Sequence, residues 1–333
     1  MKLKSLLLGS AAAMMAVSGV TAANAADAVF AAEPEPMEYV KVCDTYGKGF
    51  FYIPGTETCL KFSGYVRSEF IYNDNGAGTE TTDWRYRARL NVDARNETDW
   101  GTLRSQIRIQ GDGRGGADAN ATIDRALISL GGLRLGYSDT FFTTNHGYGW
   151  QYAANDGYYN YDQAVFLDYT FAANGFSATI GVQDSNSTAA VLTSADPYDA
   201  YFGASYAGSW GRIAGTAIYD SSVNELAWKA SVDITAIENV GIHAWYSADN
   251  GATQYVTGYV APGVEWQWGV DVSYKVSSQF TVWAGYTDAD FVDAGTFGVG
   301  AHWNPISGLS IRPEALFGEG GSTQVRLRVV RSF

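Results

Sequence analysis

The chain has 333 residues and a net charge of −13, with 38 Gly, 22 Tyr, 10 Trp and only 7 Pro. That acidic balance argues against a nucleic-acid partner. Hydrophobic residues make up 46% of the sequence, yet past the first 25 positions they never form the run of ~18 that a membrane-crossing helix needs.

Met1 to Ala25 read as a secretory signal peptide. Lys2 and Lys4 supply the positive start, Ser5 to Val20 the uncharged apolar stretch, and Ala23-Asn24-Ala25 the small-x-small cleavage pattern. The mature chain is then expected to begin at Ala26 with a net charge of −15. Residues 26–38 are small, acidic and proline-bearing, and read as an extended leader. Cys43 and Cys59 flank Asp44 to Thr58, and an even cysteine count in an exported chain predicts a disulfide. Its expected role is to fasten this N-terminal segment, residues 26–59. The three histidines, His146, His243 and His302, are far apart in sequence, so neither a metal site nor a cofactor is expected.

From residue 60 onward, apolar and polar residues alternate. Period two is the mark of a strand with one apolar and one polar face. In 60–72, Phe62, Val66, Phe70 and Tyr72 oppose Lys61, Ser63, Arg67 and Glu69. In 84–96, Trp84, Tyr86, Ala88, Leu90 and Val92 oppose Arg85, Arg87, Arg89, Asn91 and Asp93. Similar segments fall at 102–112, 122–131, 132–138, 164–171, 176–183, 199–207 and 211–221. They continue at 225–234, 239–248, 264–275, 279–287, 294–303, 308–317 and 323–333. Most are near the ~9–11 residues that let a tilted strand cross a bilayer. Sixteen is an even count and lies in the range that leaves a lumen. The expected fold over 60–333 is therefore all-β: a transmembrane antiparallel barrel of 16 strands. A soluble sandwich is the rival architecture, but only a closed barrel can place aromatic faces in lipid with every backbone group paired. Short connections at Glu97–Gly101, Val276–Ser278 and Asn304–Ser307 suit periplasmic turns. Longer ones at Asn73–Asp83, Asp184–Tyr198 and Asp249–Gly263 suit external loops.

Arg85, Arg87, Arg89, Arg104 and Arg108 share the polar parity of their strands. An arginine on the lipid face at the bilayer midplane costs about 2–4 kcal/mol, so these are expected to face inward. Arg67, Arg326 and Arg328 have the polar parity of strands that become their neighbours when the barrel closes. Together the eight are expected to form one basic wall. The longest irregular stretch runs from Asp139 to Asp162 and includes Phe141, Phe142 and Asp156. Long loops are commonly functional, and this one is aromatic-rich. Folded inward, its acidic groups would face the basic wall across a narrowed gap and tune selectivity. An ordinary external loop is the alternative.

Several segments resemble alphaproteobacterial general porins. They include Glu38-Tyr39-Val40-Lys41-Val42-Cys43-Asp44-Thr45-Tyr46-Gly47, Phe51-Tyr52-Ile53-Pro54-Gly55-Thr56-Glu57-Thr58-Cys59-Leu60 and Gly64-Tyr65-Val66-Arg67. The similarity continues in Leu130-Gly131-Gly132-Leu133-Arg134-Leu135-Gly136, Asn174-Gly175-Phe176-Ser177-Ala178, Trp210-Gly211-Arg212-Ile213-Ala214-Gly215 and the terminal Arg331-Ser332-Phe333. The resemblance covers the whole mature chain. It implies a sixteen-stranded barrel in the outer membrane of a Gram-negative bacterium, a homotrimer, and a third loop folded inward as a constriction. It also implies lipid and lipopolysaccharide as surroundings, small hydrophilic solutes as cargo, and Phe333 as part of the signal read by the barrel-assembly machinery. One departure is Arg331, which falls at the apolar parity of the last strand.

Three other functions are weighed. An outer-membrane protease or lipase needs a base set against a nucleophile, and no such set stands out. A channel specific for a sugar or other small solute could use Phe141, Phe142, Tyr148, Trp150 and Tyr152 as a stacking track, although the same rings could instead wedge the loop against the wall. An adhesin or anchor would conduct nothing.

Overall fold

The computed structural model describes residues 40–115, 120–147, 163–184, 198–250, 255, 264–290 and 295–333. A two-residue strand, β1 (Phe51–Tyr52), precedes the long ones. The first group is β2 (Cys59–Asp74), β3 (Glu80–Thr98), β4 (Gly101–Arg114), β5 (Asn120–Leu130) and β6 (Leu133–Asp139). One helical turn, α1 (Phe141–Thr144), follows. Next come β7 (Gln163–Ala173), β8 (Phe176–Gln183), β9 (Asp199–Gly208), β10 (Gly211–Asp220), β11 (Glu225–Ile234) and β12 (Val240–Ala248). The last are β13 (Trp266–Lys275), β14 (Phe280–Ala289), β15 (Thr296–Ile306), β16 (Leu309–Gly318) and β17 (Thr323–Ser332). Each strand from β2 to β17 pairs antiparallel with the next, and β17 pairs back onto β2 from Thr323↔Asp74 to Ser332↔Tyr65. The sixteen strands form a closed ring with no free edge.

Alternation decides which face of each strand meets lipid. On β3, Trp84, Tyr86 and Leu90 are exposed on the outside, while Asp83, Arg85, Arg87 and Arg89 turn inward. The same rule holds on β17, where Val325, Leu327 and Val329 point out and Arg326 and Arg328 are buried inside. Outward aromatic pairs, Phe70–Trp84, Trp228–Tyr246 and Trp268–Tyr286, lie toward the ends of the strands where the long connections emerge. Trp100, Trp303 and Phe333 are exposed at the opposite, short-turn end. Aromatic rings at both rims are the pattern of a membrane barrel.

Two local departures from the sequence reading matter. The expected Asn73–Asp83 loop is far shorter, because β2 and β3 stay paired out to Asp74↔Glu80. Only residues 75–79 turn the chain. Asp74 Oδ1 accepts the Gly76 N–H, and Asn75 Oδ1 accepts those of Ala77 and Thr79, so side chains replace the missing ladder bonds. The second departure is a bulge between β4 and β5. Arg108 pairs with Arg125 but Ile109 pairs with Ile123, which leaves Asp124 as the extra residue. A bulge breaks strict alternation and re-aims a side chain. Asp124 is thereby buried on the inner side beside Arg125.

Candidate functional site

The inner wall of β16, β17 and β2–β6 carries a ladder of guanidinium and carboxylate groups. All eight arginines singled out from the sequence lie on it, and each is matched with an acid or lies in contact with one that is. Glu69 takes three of them: Arg328 at 2.5 Å, Arg67 at 3.1 Å and Arg326 at 3.4 Å. Arg85 meets Asp83 at 2.5 Å, and Arg87 meets Asp112. Arg104 reaches Asp93 at 2.6 Å, which Arg95 also contacts at 2.8 Å. Arg108 reaches Asp124 at 3.0 Å, and Arg89 approaches the same carboxylate at 3.5 Å. The basic wall expected from the sequence is interleaved with carboxylates in the structure. Strand parity places Glu69 and Asp93 inward with the arginines, but which acid meets which arginine also depends on how neighbouring strands pair.

Asp139 also differs from its expected place. It is the last residue of β6, on the same wall, and contacts Arg125 at 3.3 Å and Arg108 at 3.7 Å. It does not face the arginines across a gap. Asp156 and Asp162 lie outside the described residues, as do Tyr148, Trp150 and Tyr152.

Beyond Asp139 the chain leaves the wall and crosses inside the ring to β9–β11. Phe141 stacks on Tyr201 with centroids 5.5 Å apart, in space that exists because Gly203 has no Cβ. Phe142 is 1% exposed, between Tyr255 and the Lys229 ammonium, so it wedges the turn rather than lining a path. Asn145 Nδ2 donates to Gly215 O at 3.1 Å and to Thr216 Oγ1 at 2.9 Å. In return, Arg212 Nη2 donates to Asn145 O at 2.6 Å. His146, wholly buried, shares hydrogen bonds with Ser231 Oγ at 2.8 Å and Thr216 Oγ1 at 2.9 Å. Burial, and then the nearby Lys229 and Arg212 cations, push its pKa down from the ordinary imidazole range to about 2. The neutral imidazole acts here as a peg. None of Asn145, His146, Arg212 or Ser231 was singled out as a loop anchor, since their partners lie 67 to 85 residues away.

The chain matches the model of the family described as the porin subfamily over residues 27–329. The chain belongs to this porin family. Porin Omp2b of Brucella suis biovar 1 (strain 1330) is 39% identical over 279 residues, which span 76% of this chain and 75% of that one. Porin Omp2b of Brucella melitensis biotype 1 is 38% identical over the same extent. Among solved structures, an engineered variant of the Rh. blastica porin superposes with a TM-score of 0.62 at 17% identity, covering 82% of this chain and all of the other. That likeness speaks to the fold alone. The porin resides in a Gram-negative outer membrane and crosses it with its strands.

At the short-turn end of the porin, Cys43 and Cys59 form the disulfide expected from their number. With Phe50 they make a small buried cluster, and the Arg95 guanidinium lies over the Phe50 ring at 4.9 Å. Terminal Phe333 exchanges two backbone hydrogen bonds with Gly64, each 3.1 Å, at the seam where the ring closes. Arg331 does point outward, and it turns back to donate to Ser332 O at 2.6 Å. His243 lies on the inner wall, 2.6 Å from Asp233.

Proposed function

We propose that this porin forms a water-filled passage for the passive diffusion of small hydrophilic solutes and ions, and that it works as a homotrimer. Lipid and lipopolysaccharide would surround it, and Phe333 would belong to the signal that delivers it to the barrel-assembly machinery. Residues 1–25 would be removed on export. The observation that carries this reading is the placement of α1. Its turn is fastened flat on the inner face of β9–β11, opposite a polar, ion-paired wall. A turn so held would narrow a lumen. Arg67, Arg85, Arg87, Arg89, Arg104, Arg108, Arg326 and Arg328 would line the passage with their carboxylates, and Asp139 would belong to that wall. A polar wall of fixed charges favours hydrated solutes over apolar ones. The porin would carry out no reaction.

Single-channel recording in a planar bilayer with a salt gradient tests this. Long-lived openings in steps of three are expected, and the reversal potential gives the selectivity. Correctly folded protein that conducts nothing would leave an adhesin or anchor.

A further inference from the structure

We propose that a recess at the short-turn end of the inner wall, beside Arg312, binds the phosphate group of a small solute or of inorganic phosphate. This inference rests on reading the lumen as the passage. The recess is bordered by Gln279, Asn304, Gly308, Ser310, Arg312 and Ser332. Strand parity places Ser310 and Arg312 on the inner face of β16, and Ser332 on that of β17. Arg312 Nε donates to Ser310 Oγ at 2.9 Å, which draws the guanidinium toward the recess. Beside the cation, hydroxyls and amides, the lining includes the apolar Ile306 and Leu309 and no carboxylate.

Arg312 differs from the other arginines of this wall. In register it stands directly opposite Arg328. Like charges placed so repel each other. Arg328 is compensated by Glu69 at 2.5 Å, and Glu69 also serves Arg67 and Arg326. Among the described residues Arg312 forms no ion pair. Glu314 lies two residues along on the same face, but its carboxylate oxygens hydrogen-bond to none of the described residues, so it does not bridge to Arg312. Every arginine on β3, by contrast, has a carboxylate within ion-pair reach. A cation set against a second cation, with neutral donors beside it, is a place where an anion relieves repulsion. A guanidinium fork matches two phosphate oxygens, and the hydroxyl and amide groups can donate to the others. Chloride cannot use the fork in this way.

The test uses the full-length porin in a planar bilayer in potassium chloride. Inorganic phosphate is added to one side at a time, and a sugar phosphate of equal charge is run in parallel. Phosphate should interrupt the current more often from the short-turn side, in proportion to its concentration. The substitution Arg312→Gln should raise the half-blocking concentration about tenfold. Arg114→Gln, at the other end of the barrel, should leave it unchanged. If both phosphates block, the group itself is recognised; if only one does, the rest of that molecule contributes. Equal block of wild type and Arg312→Gln, or equal block by nitrate at matched ionic strength, overturns the proposal. Should the protein not conduct at all, the passage reading fails instead. Phosphate binding to the detergent-solubilised protein, followed by phosphorus NMR line width, then decides the recess separately: broadening lost in Arg312→Gln supports it, and identical widths overturn it.

Discussion

The two sides of the inner wall are held by different forces. From β16 through β2 to β6, opposite charges grip one another. On β9–β11, hydroxyls, amides, an imidazole and stacked rings hold the α1 turn, and the Arg212 and Lys229 cations there engage a carbonyl and a ring rather than carboxylates. Ion pairs are weakened by salt when exposed and are costly to break when buried. Neutral hydrogen bonds are nearly indifferent to salt, and so is ring packing. The wall of fixed charges is therefore tied to itself, while the inward α1 turn is tied by contacts that depend little on salt.

The harshest challenge to this contrast is Glu69→Gln. It removes the carboxylate shared by three arginines that are each less than a tenth exposed. Breaking a buried pair of this kind costs about 3–5 kcal/mol. The temperature at which the barrel unfolds in a gel-shift assay should fall clearly, and an unchanged value would mean that the ladder contributes little. On the other side, Asn145→Ala deletes bonds to Gly215, Thr216 and Arg212 and should weaken the loop's hold by about 1–3 kcal/mol. The expected readout is voltage-induced closure at a lower threshold, equally in 0.1 M and 1 M salt, with barrel melting little changed.

A smaller, purely electrical effect is expected from replacing Arg85, Arg87 and Arg89 together with Ser. Their partners Asp83, Asp112 and Asp124 stay behind, so selectivity should move toward cations. An unmoved reversal potential would take these residues out of the ion path. The mildest effect concerns pH. His146 is neutral when docked, with its pKa near 2, whereas an undocked imidazole titrates near 6.5. The released form thus binds the extra proton between those values. Docking should be fully stable above about pH 6.5 and weaken as pH falls below it. The closure threshold should drop between pH 7.5 and 5 in wild type and stay flat in His146→Asn.

The same contrast explains what the sequence makes legible. All sixteen long strands can be read from it, because lipid on one face and polar groups on the other force period two along the chain. β3 is read clearly from Trp84 to Val92 and poorly at Glu80-Thr81-Thr82, where the hairpin is polar on both faces and alternation stops. Asp124 escapes because a bulge shifts its parity. The cross-strand ion pairs, such as Arg328–Glu69 and Arg108–Asp124, and the loop anchors escape because they depend on contacts across strands and across the ring. Periodicity within a single segment carries no record of these.

Consider last the seam between Gly64 and Phe333. The reciprocal bonds there extend the β17–β2 ladder by one residue beyond Ser332. The ring itself is sealed along the whole of β17, from Thr323↔Asp74 to Ser332↔Tyr65. Until β17 pairs with β2, two strand edges stay open to foreign pairing, and these closing contacts are the most distant in sequence and so the slowest to form. Closure thus waits on two strands whose partners stand 251 residues apart at Gln324 and Asn73, and a barrel in which β17 has not docked remains an unsealed sheet with its edges exposed.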